Sequence, residues 1–264
     1  MNSSKPTSKN RPARKPATKA AAIRCVIFDL DDTLYDCYGQ RVKPAHRHAA
    51  RAMVKAGLNA TMEDAFRARM RAFRDDPMLR HIDAVVTAHF GGGDPVAISE
   101  AARDAYFNCP VGKLTLFAGT MPLLRFLHAR GVKCFVVSFG EPKIQHAKVR
   151  SLGLDSTPAI DRVFFADRQN LLTKEAAFRQ IQEEFSFQAG QMLVVGDRPM
   201  SEIRAGNELG MHTVRLHRGE FVSQEPQGKI EEAEHTVKSI SDVKKLPYVW
   251  GINTPRGTKS PPLR

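Results

Sequence analysis

The segment FDLDDTLYD (28–36) places Asp29, Asp31 and Asp32 within four residues, directly after an apolar run. Carboxylates crowded in this way repel one another unless a cation or a proton relieves the charge. Oxygen ligands in such number suit Mg²⁺, which keeps some of its waters and meets substrate phosphate. In an extended segment the side chains of Asp29 and Asp31 lean the same way, because side-chain direction alternates with period two. That geometry suits one nucleophilic carboxylate and one acid/base carboxylate acting on a single substrate. A turn capped by Asp and Thr is the plainer reading of the string taken alone. Two further polar residues follow apolar runs of the same kind: Ser138 after VKCFVV, and Asp197 after QMLVVG.

Elements must bring these residues together. The runs 23–29, 132–138, 162–166 and 191–197 are short, apolar and largely β-branched or aromatic, as buried parallel strands are. A fifth strand is expected at 212–216 and a short one at 235–240. Helical patterns alternate with them, over Met121–Arg130, Pro142–Leu152, Lys174–Phe185 and Pro199–Leu209. Gly131, Gly153 and Gly210 stand at three of the helix ends. The alternation predicts an α/β fold with a Rossmann-like, three-layer parallel sheet. Ligands of such sheets bind where the carboxyl ends of the strands converge, which is where Asp29, Ser138 and Asp197 fall.

One stretch breaks the alternation. Residues 39–113 show no strand and helical patterns near Pro44–Ala56, Met62–Phe73, Met78–His89 and Val96–Phe107, which predicts an inserted all-helical cap. Its arginines, among them Arg67, Arg69, Arg71 and Arg74, read as a solvated helix face. Asp36, His46 and His48 fit a cap hinge or surface. The predicted organisation is a basic tail over 1–22, a core from 23–38 and 114–220, the cap over 39–113, a core extension over 221–248 with a helical turn at Ser241–Leu246, and a second basic tail over 249–264.

The string FDLDDTLYD resembles the first motif of the haloacid dehalogenase superfamily, an apolar strand followed by DxDxT. The remaining motifs of that superfamily are met in order. KCFVVSFG supplies a strand ending in Ser138, and the spacing Gln145–Lys148–Leu152–Gly153–Leu154 is similar to that of the family's phosphatases. Lys174 opens a helix before the last motif, although Glu175 stands where the family often has Pro. VVGDRPMSE supplies Asp197 and Glu202. The resemblance spans about Ile23–Leu216, and the predicted cap falls where many members carry one.

This resemblance implies a phosphohydrolase. Asp29 would attack phosphorus and form an aspartyl-phosphate. Asp31 would protonate the leaving oxygen and later deprotonate water. Ser138, Phe139 and Lys174 would hold the phosphate, with Lys143 and Lys148 less well placed rivals to Lys174. Mg²⁺ would be bound by Asp29, the backbone carbonyl of Asp31, and Asp197. Glu202 and Thr33 would support these groups from behind, and Asp32 would support the turn. A small phosphorylated metabolite (a sugar, glycolate or nucleoside phosphate) is the implied substrate. Two alternatives share the scaffold, a phosphomutase and a dehalogenase. The dehalogenase needs no acid for a departing halide and lacks a carboxylate at the position of Asp31.

Charge raises a different class of function. The chain carries a net charge of +12, of which residues 1–20 hold six basic residues and residues 251–264 three, with no acid in either segment. Nucleic-acid contact through these ends is conceivable, with the core idle, but disordered solubilising tails are the favoured reading. The Ser- and Ala-rich start has some features of a transit peptide, against which its prolines argue. No run approaches the roughly 18 apolar residues of a membrane span. Cys25, Cys37, Cys109 and Cys134 form no CxxC pair, and reduced structural thiols in a cytoplasmic protein are expected.

Overall fold

The computed structural model describes residues 22–75, 81–166 and 173–247. Apart from Ala22, the two expected tails lie outside the described residues, as does the expected start of the third cap helix at Met78. Six strands form one parallel sheet: β1 (Cys25–Phe28), β2 (Lys133–Phe139), β3 (Arg162–Ala166), β4 (Met192–Gly196), β5 (His212–Leu216) and β6 (His235–Val237). The sheet order is β3-β2-β1-β4-β5-β6, which puts β1 in the interior between β2 and β4. The fold is therefore the α/β class read from the alternation, with β6 shorter than the 235–240 expected.

The alternating side chains of β1 feed two separate cores. Val26 and Phe28 pack with Leu123, Leu124 and Leu127 of α5 (Thr120–His128) and Val149 of α6 (Pro142–Ser151). Cys25 and Ile27 pack on the other face with Ala177, Phe178 and Ile181 of α7 (Lys174–Glu184). Both faces of the sheet are thus covered, and every side chain of β1 is buried. Helix ends follow local chemistry. Gly153 takes φ +66° just past α6, a conformation that a side chain disfavours. Thr173 caps α7 by accepting the Ala176 N–H at 3.0 Å.

Between β1 and α5 lie the helices α1 (Lys43–Lys55), α2 (Met62–Asp75), α3 (Ile82–Phe90) and α4 (Pro95–Phe107). They close around a third core that includes Ala49, Met53, Ala65, Val86, Ile98 and Ala102. Two readings of this region need correction. Arg69 is not on a solvated face: it is 1% exposed and paired with Asp83, because it falls on the same stripe as Ala65 and Phe73. His46 is not at a surface either: it is buried, with its ring 4.8 Å from Phe73 and 5.0 Å from Tyr106. No helix among the described residues is long and apolar enough to cross a membrane.

Candidate active site

Register places the polar strand ends side by side. Phe28 of β1 pairs with Val136 of β2 and with Val195 of β4, so Asp29, Ser138 and Asp197 leave three adjacent strands at nearly one level. The Asp29 N–H donates to the Val195 carbonyl at 2.9 Å, which holds the chain in the sheet up to this residue. Beyond it the backbone turns at Asp32, whose φ of +55° is uncommon outside glycine. The Asp32 carboxylate accepts the N–H groups of Tyr38 (3.0 Å) and Glu220 (3.1 Å), tying the turn to the loop after β5.

Asp29 is buried, and its two oxygens have different partners. Lys174 Nζ donates to Oδ1, and the Thr33 hydroxyl lies 3.3 Å from Oδ2. Lys174 also donates to Glu202 Oε2 at 2.8 Å, while the Arg198 N–H donates to Glu202 Oε1 at 2.6 Å. Both Glu202 oxygens are therefore occupied. Glu202 belongs to a π-helical turn (Pro199–Ile203) that precedes the short α8 (Arg204–Glu208), where a single helix over Pro199–Leu209 was expected. Gly196 permits the close approach of this turn, since a Cβ there would overlap the Glu202 side chain.

Asp31 has its own cation. Lys148 of α6 donates to both carboxylate oxygens, and the Tyr35 hydroxyl lies 2.8 Å from Oδ1. Gln145, one turn before Lys148, donates to the Phe139 carbonyl at 3.0 Å and approaches Asp31 at 3.5 Å. Lys148 is 4% exposed, so its position corrects the expectation that it would be poorly placed. Lys143 sits on the same helix and takes no part in this cluster. Phe139 ends β2 with its side chain 39% exposed. Its carbonyl, held by Gln145, lies next to the site.

The electrostatics follow from burial and pairing. Burial pushes the Asp29 carboxyl up to about 7, with Lys174 opposing and Glu202 and Asp31 reinforcing the rise. Asp197 rises well above the carboxylate range through burial and through Glu202 and Asp29 beside it. For Asp31 burial acts in the same direction, but Lys148 and Tyr35 outweigh it and leave the group below its ordinary value. Glu202 is likewise lowered: Lys174 and the Arg198 N–H overcome its burial. The cluster thus holds two carboxyls with satisfied charge and two, Asp29 and Asp197, that favour the neutral form.

Asp197 Oδ1 and Ser138 Oγ are among the buried atoms without a partner, as are Gln145 Oε1 and Arg198 Nε. Oxygens of Asp29, Asp197 and Glu202 lie within 4.8 Å of one another. Buried polar atoms are ordinarily satisfied, so an unpartnered carboxylate oxygen among other acids is the signature of a cation site.

The sequence and the fold are matched in known proteins. The haloacid dehalogenase-like hydrolase family matches residues 23–210. The chain belongs to that family. Among curated relatives, a glyceraldehyde 3-phosphate phosphatase of Methanocaldococcus jannaschii is 30% identical over 224 residues, covering 84% of this chain and 95% of the relative. One of Methanopyrus kandleri is 28% identical, covering 78% and 88% respectively. Among solved structures, the Bacillus subtilis protein YfnB with bound magnesium aligns at a TM-score of 0.59 and 19% identity, covering 85% of this chain and 98% of that one. CbbY from Rhodobacter sphaeroides in complex with phosphate aligns at 0.56 and 16%, covering 84% and 96%. These structures share the fold of this haloacid dehalogenase-like hydrolase.

Sequence reasoning missed Tyr35, Arg198, Arg215 and Glu220. Tyr35 lies inside the first motif, and its i,i+4 spacing from Asp31 was the available signal. Arg215 is buried at the end of β5 and donates to the carbonyls of Asp197 (3.2 Å), Phe221 (3.0 Å), Val222 (3.4 Å) and Gln224 (2.8 Å). An Arg set between Val214 and Leu216 in a short strand was its signal. Arg198 and Glu220 lie in loops, where spacing says little.

Proposed function

We propose that this hydrolase cleaves small phosphate monoesters through an aspartyl-phosphate on Asp29, with Mg²⁺ as cofactor. One observation carries the reading: the buried Asp29 carboxylate stands at the carboxyl end of a central strand, paired with Lys174 and within 4.8 Å of an oxygen of Asp197, whose Oδ1 has no partner. The residues fit a divalent cation. Burial raises Asp29 to about 7 despite Lys174 and raises Asp197 well above the carboxylate range; Asp29, the Asp31 carbonyl and Asp197 would hold Mg²⁺, whose charge would keep both carboxylates ionised.

The chemistry of the chain's own groups follows. An Asp29 oxygen attacks phosphorus as the ester oxygen departs, and a proton from Asp31 goes to that oxygen. Water then attacks the acyl phosphate, Asp31 accepts its proton, and inorganic phosphate leaves with the Asp29 carboxylate restored. Lys174 adds fixed positive charge beside the transferring group, and Ser138 Oγ offers it a hydrogen bond. Asp31 begins ionised in its pair with Lys148. An arriving phosphate dianion competes for that lysine, and the freed carboxylate takes up a proton from solvent, which it then passes to the leaving oxygen. A departing halide would need no such proton, and Asp31 therefore favours phosphate over halide chemistry.

Space for the leaving group lies under the cap. A cleft of about 600 Å³ runs between Tyr38 and Phe73 on the cap side and Gly219–Gln224 on the core side, beside the catalytic carboxylates rather than containing them. The curated relatives make glyceraldehyde 3-phosphate the first compound to try. The test is phosphate release from a panel of small esters, with Mg²⁺ and with EDTA, for the wild type and Asp29→Asn. Release that needs both Mg²⁺ and Asp29 is expected. Release indifferent to Asp29→Asn would remove the nucleophile assigned here.

A further inference from the structure

We propose that Arg41 recognises a carboxylate on the leaving group, so that the preferred substrate is a small phosphorylated acid. This rests on the phosphomonoesterase reading above and names the substrate class within it.

Among the described residues, the buried cations of the site are otherwise satisfied. Lys174 has Asp29 and Glu202, and Lys148 has Asp31. In the cap Arg69 has Asp83, and in the core Arg215 has its carbonyls. Arg41 is 6% exposed and has no acid within ion-pair distance among the described residues. Its Nε has no hydrogen-bond partner, and one terminal nitrogen makes a single long contact, 3.4 Å, to the Tyr106 carbonyl. A guanidinium cannot shed its proton to relieve burial, and a buried charge without a counter-charge is costly. An anion is the missing partner.

Position says which anion. Arg41 belongs to the π-helical turn Tyr38–Val42, which joins the catalytic motif to α1. It follows Cys37 by four residues and so shares its helical face. The Cys37 Sγ lies 3.9 Å from Lys148 Nζ, the ammonium that holds Asp31. Arg41 therefore stands one turn beyond Cys37, which neighbours the ammonium that holds Asp31, on the side of the cap towards which the rest of the leaving group extends. Tyr106 walls this position, with its ring 5.9 Å from the Arg41 Cζ. His46, against Tyr106, is held neutral by burial and by Arg69, and adds no charge. Glu220, on the core side, makes no ion pair with Arg41. One unpaired guanidinium offers one charge in a planar fork, which matches a carboxylate. An aldehyde oxygen would leave the charge uncompensated.

The test compares two esters on one carbon skeleton, 3-phosphoglycerate and glyceraldehyde 3-phosphate, which differ only in carboxylate against aldehyde. The wild type is expected to favour the carboxylate in kcat/KM by roughly 10- to 100-fold, the range of one charge-assisted hydrogen-bonded contact. Arg41→Met should reduce that ratio to within about 3-fold, and Arg41→Lys should retain part of it. Both substrates meet the same enzyme, so a general loss of folded protein lowers both rates and leaves their ratio unchanged. Wild-type preference for the aldehyde, or a ratio unmoved by Arg41→Met, overturns the assignment while leaving the phosphomonoesterase reading intact. Absence of Mg²⁺-dependent release from either ester and from p-nitrophenyl phosphate overturns both.

Discussion

Lys148 Nζ lies 2.9 and 2.8 Å from the two carboxylate oxygens of Asp31, although 117 residues separate them in the chain. The pair joins α6 of the core to the turn that follows β1, and Lys148 is buried, as Lys174 is. It sets the charge of the group proposed to move protons.

The pH dependence of turnover should report this pairing. Lys148 and Tyr35 hold Asp31 below the ordinary carboxylate range against the opposing effect of burial. Removing the lysine leaves burial unopposed, so the Asp31 pKa rises. In Lys148→Met the basic limb of the kcat/KM profile, where Asp31 loses the proton that the leaving oxygen needs, should therefore move to higher pH, and loss of the ammonium should lower the rate roughly 10- to 100-fold near neutrality. A basic limb that stays in place would separate Asp31 from the proton transfer.

Asp197 should trade metal binding against stability. Its buried carboxyl is raised by Glu202 and Asp29, so at neutral pH its ionisation opposes folding unless a cation is bound. Asp197→Asn should raise the melting temperature in EDTA by about 2–4 °C, equivalent to about 1 kcal/mol for a chain of this size. The wild type should gain stability as Mg²⁺ is added, by mass action on the folded state, and the variant should not. Equal Mg²⁺-dependent shifts in both proteins would place the cation elsewhere.

The sheet was legible because buried parallel strands leave long apolar runs, and the positions of Asp29, Ser138 and Asp197 followed from where those runs end. Lys174 was legible through the order of motifs. The pairing of Lys148 with Asp31 was not, since no local pattern records which of several lysines on an amphipathic helix faces a turn far away in sequence. Arg69 shows a different limit. It occupies the apolar stripe Ala65–Arg69–Phe73, so spacing did mark it as inward, but a charged residue there reads as exposed until its partner Asp83 is known. Arg41 was hidden for the same reason, and within the described residues it has no such partner.

His46 should make the cap sensitive to mild acid. Burial, with a smaller effect of Arg69, lowers its pKa to about 3, and neither ring nitrogen has a partner. The unfolded chain takes up the proton near pH 6.5, whereas the folded chain does not until far lower. Stability is therefore full above pH 6.5 and falls as pH drops below it, by up to about 1.4 kcal/mol per pH unit. Between pH 8 and pH 5 the wild type should lose about 2 kcal/mol more than His46→Leu in urea unfolding. Parallel losses in the two proteins would mean that the ring can be protonated in place.

Arg215 should act on the reaction without touching it. Its guanidinium donates at once to the Asp197 carbonyl and to three carbonyls of the loop at 221–224, the loop that also lines the cleft. A lysine keeps the charge but not the planar fork, so it cannot reach both sets of carbonyls together. Arg215→Lys should loosen the loop and shift the backbone that carries Asp197. The expected signature is a weaker apparent Mg²⁺ affinity and a raised KM, each by roughly 10-fold, the lower end of the effect of losing a partner behind the metal ligands. Because the loop ends at the cleft while Asp31 and Lys148 are held by other elements, the pH profile of kcat should stay where it is in the wild type. A displaced profile with unchanged Mg²⁺ affinity would place Arg215 in the proton-transfer network instead.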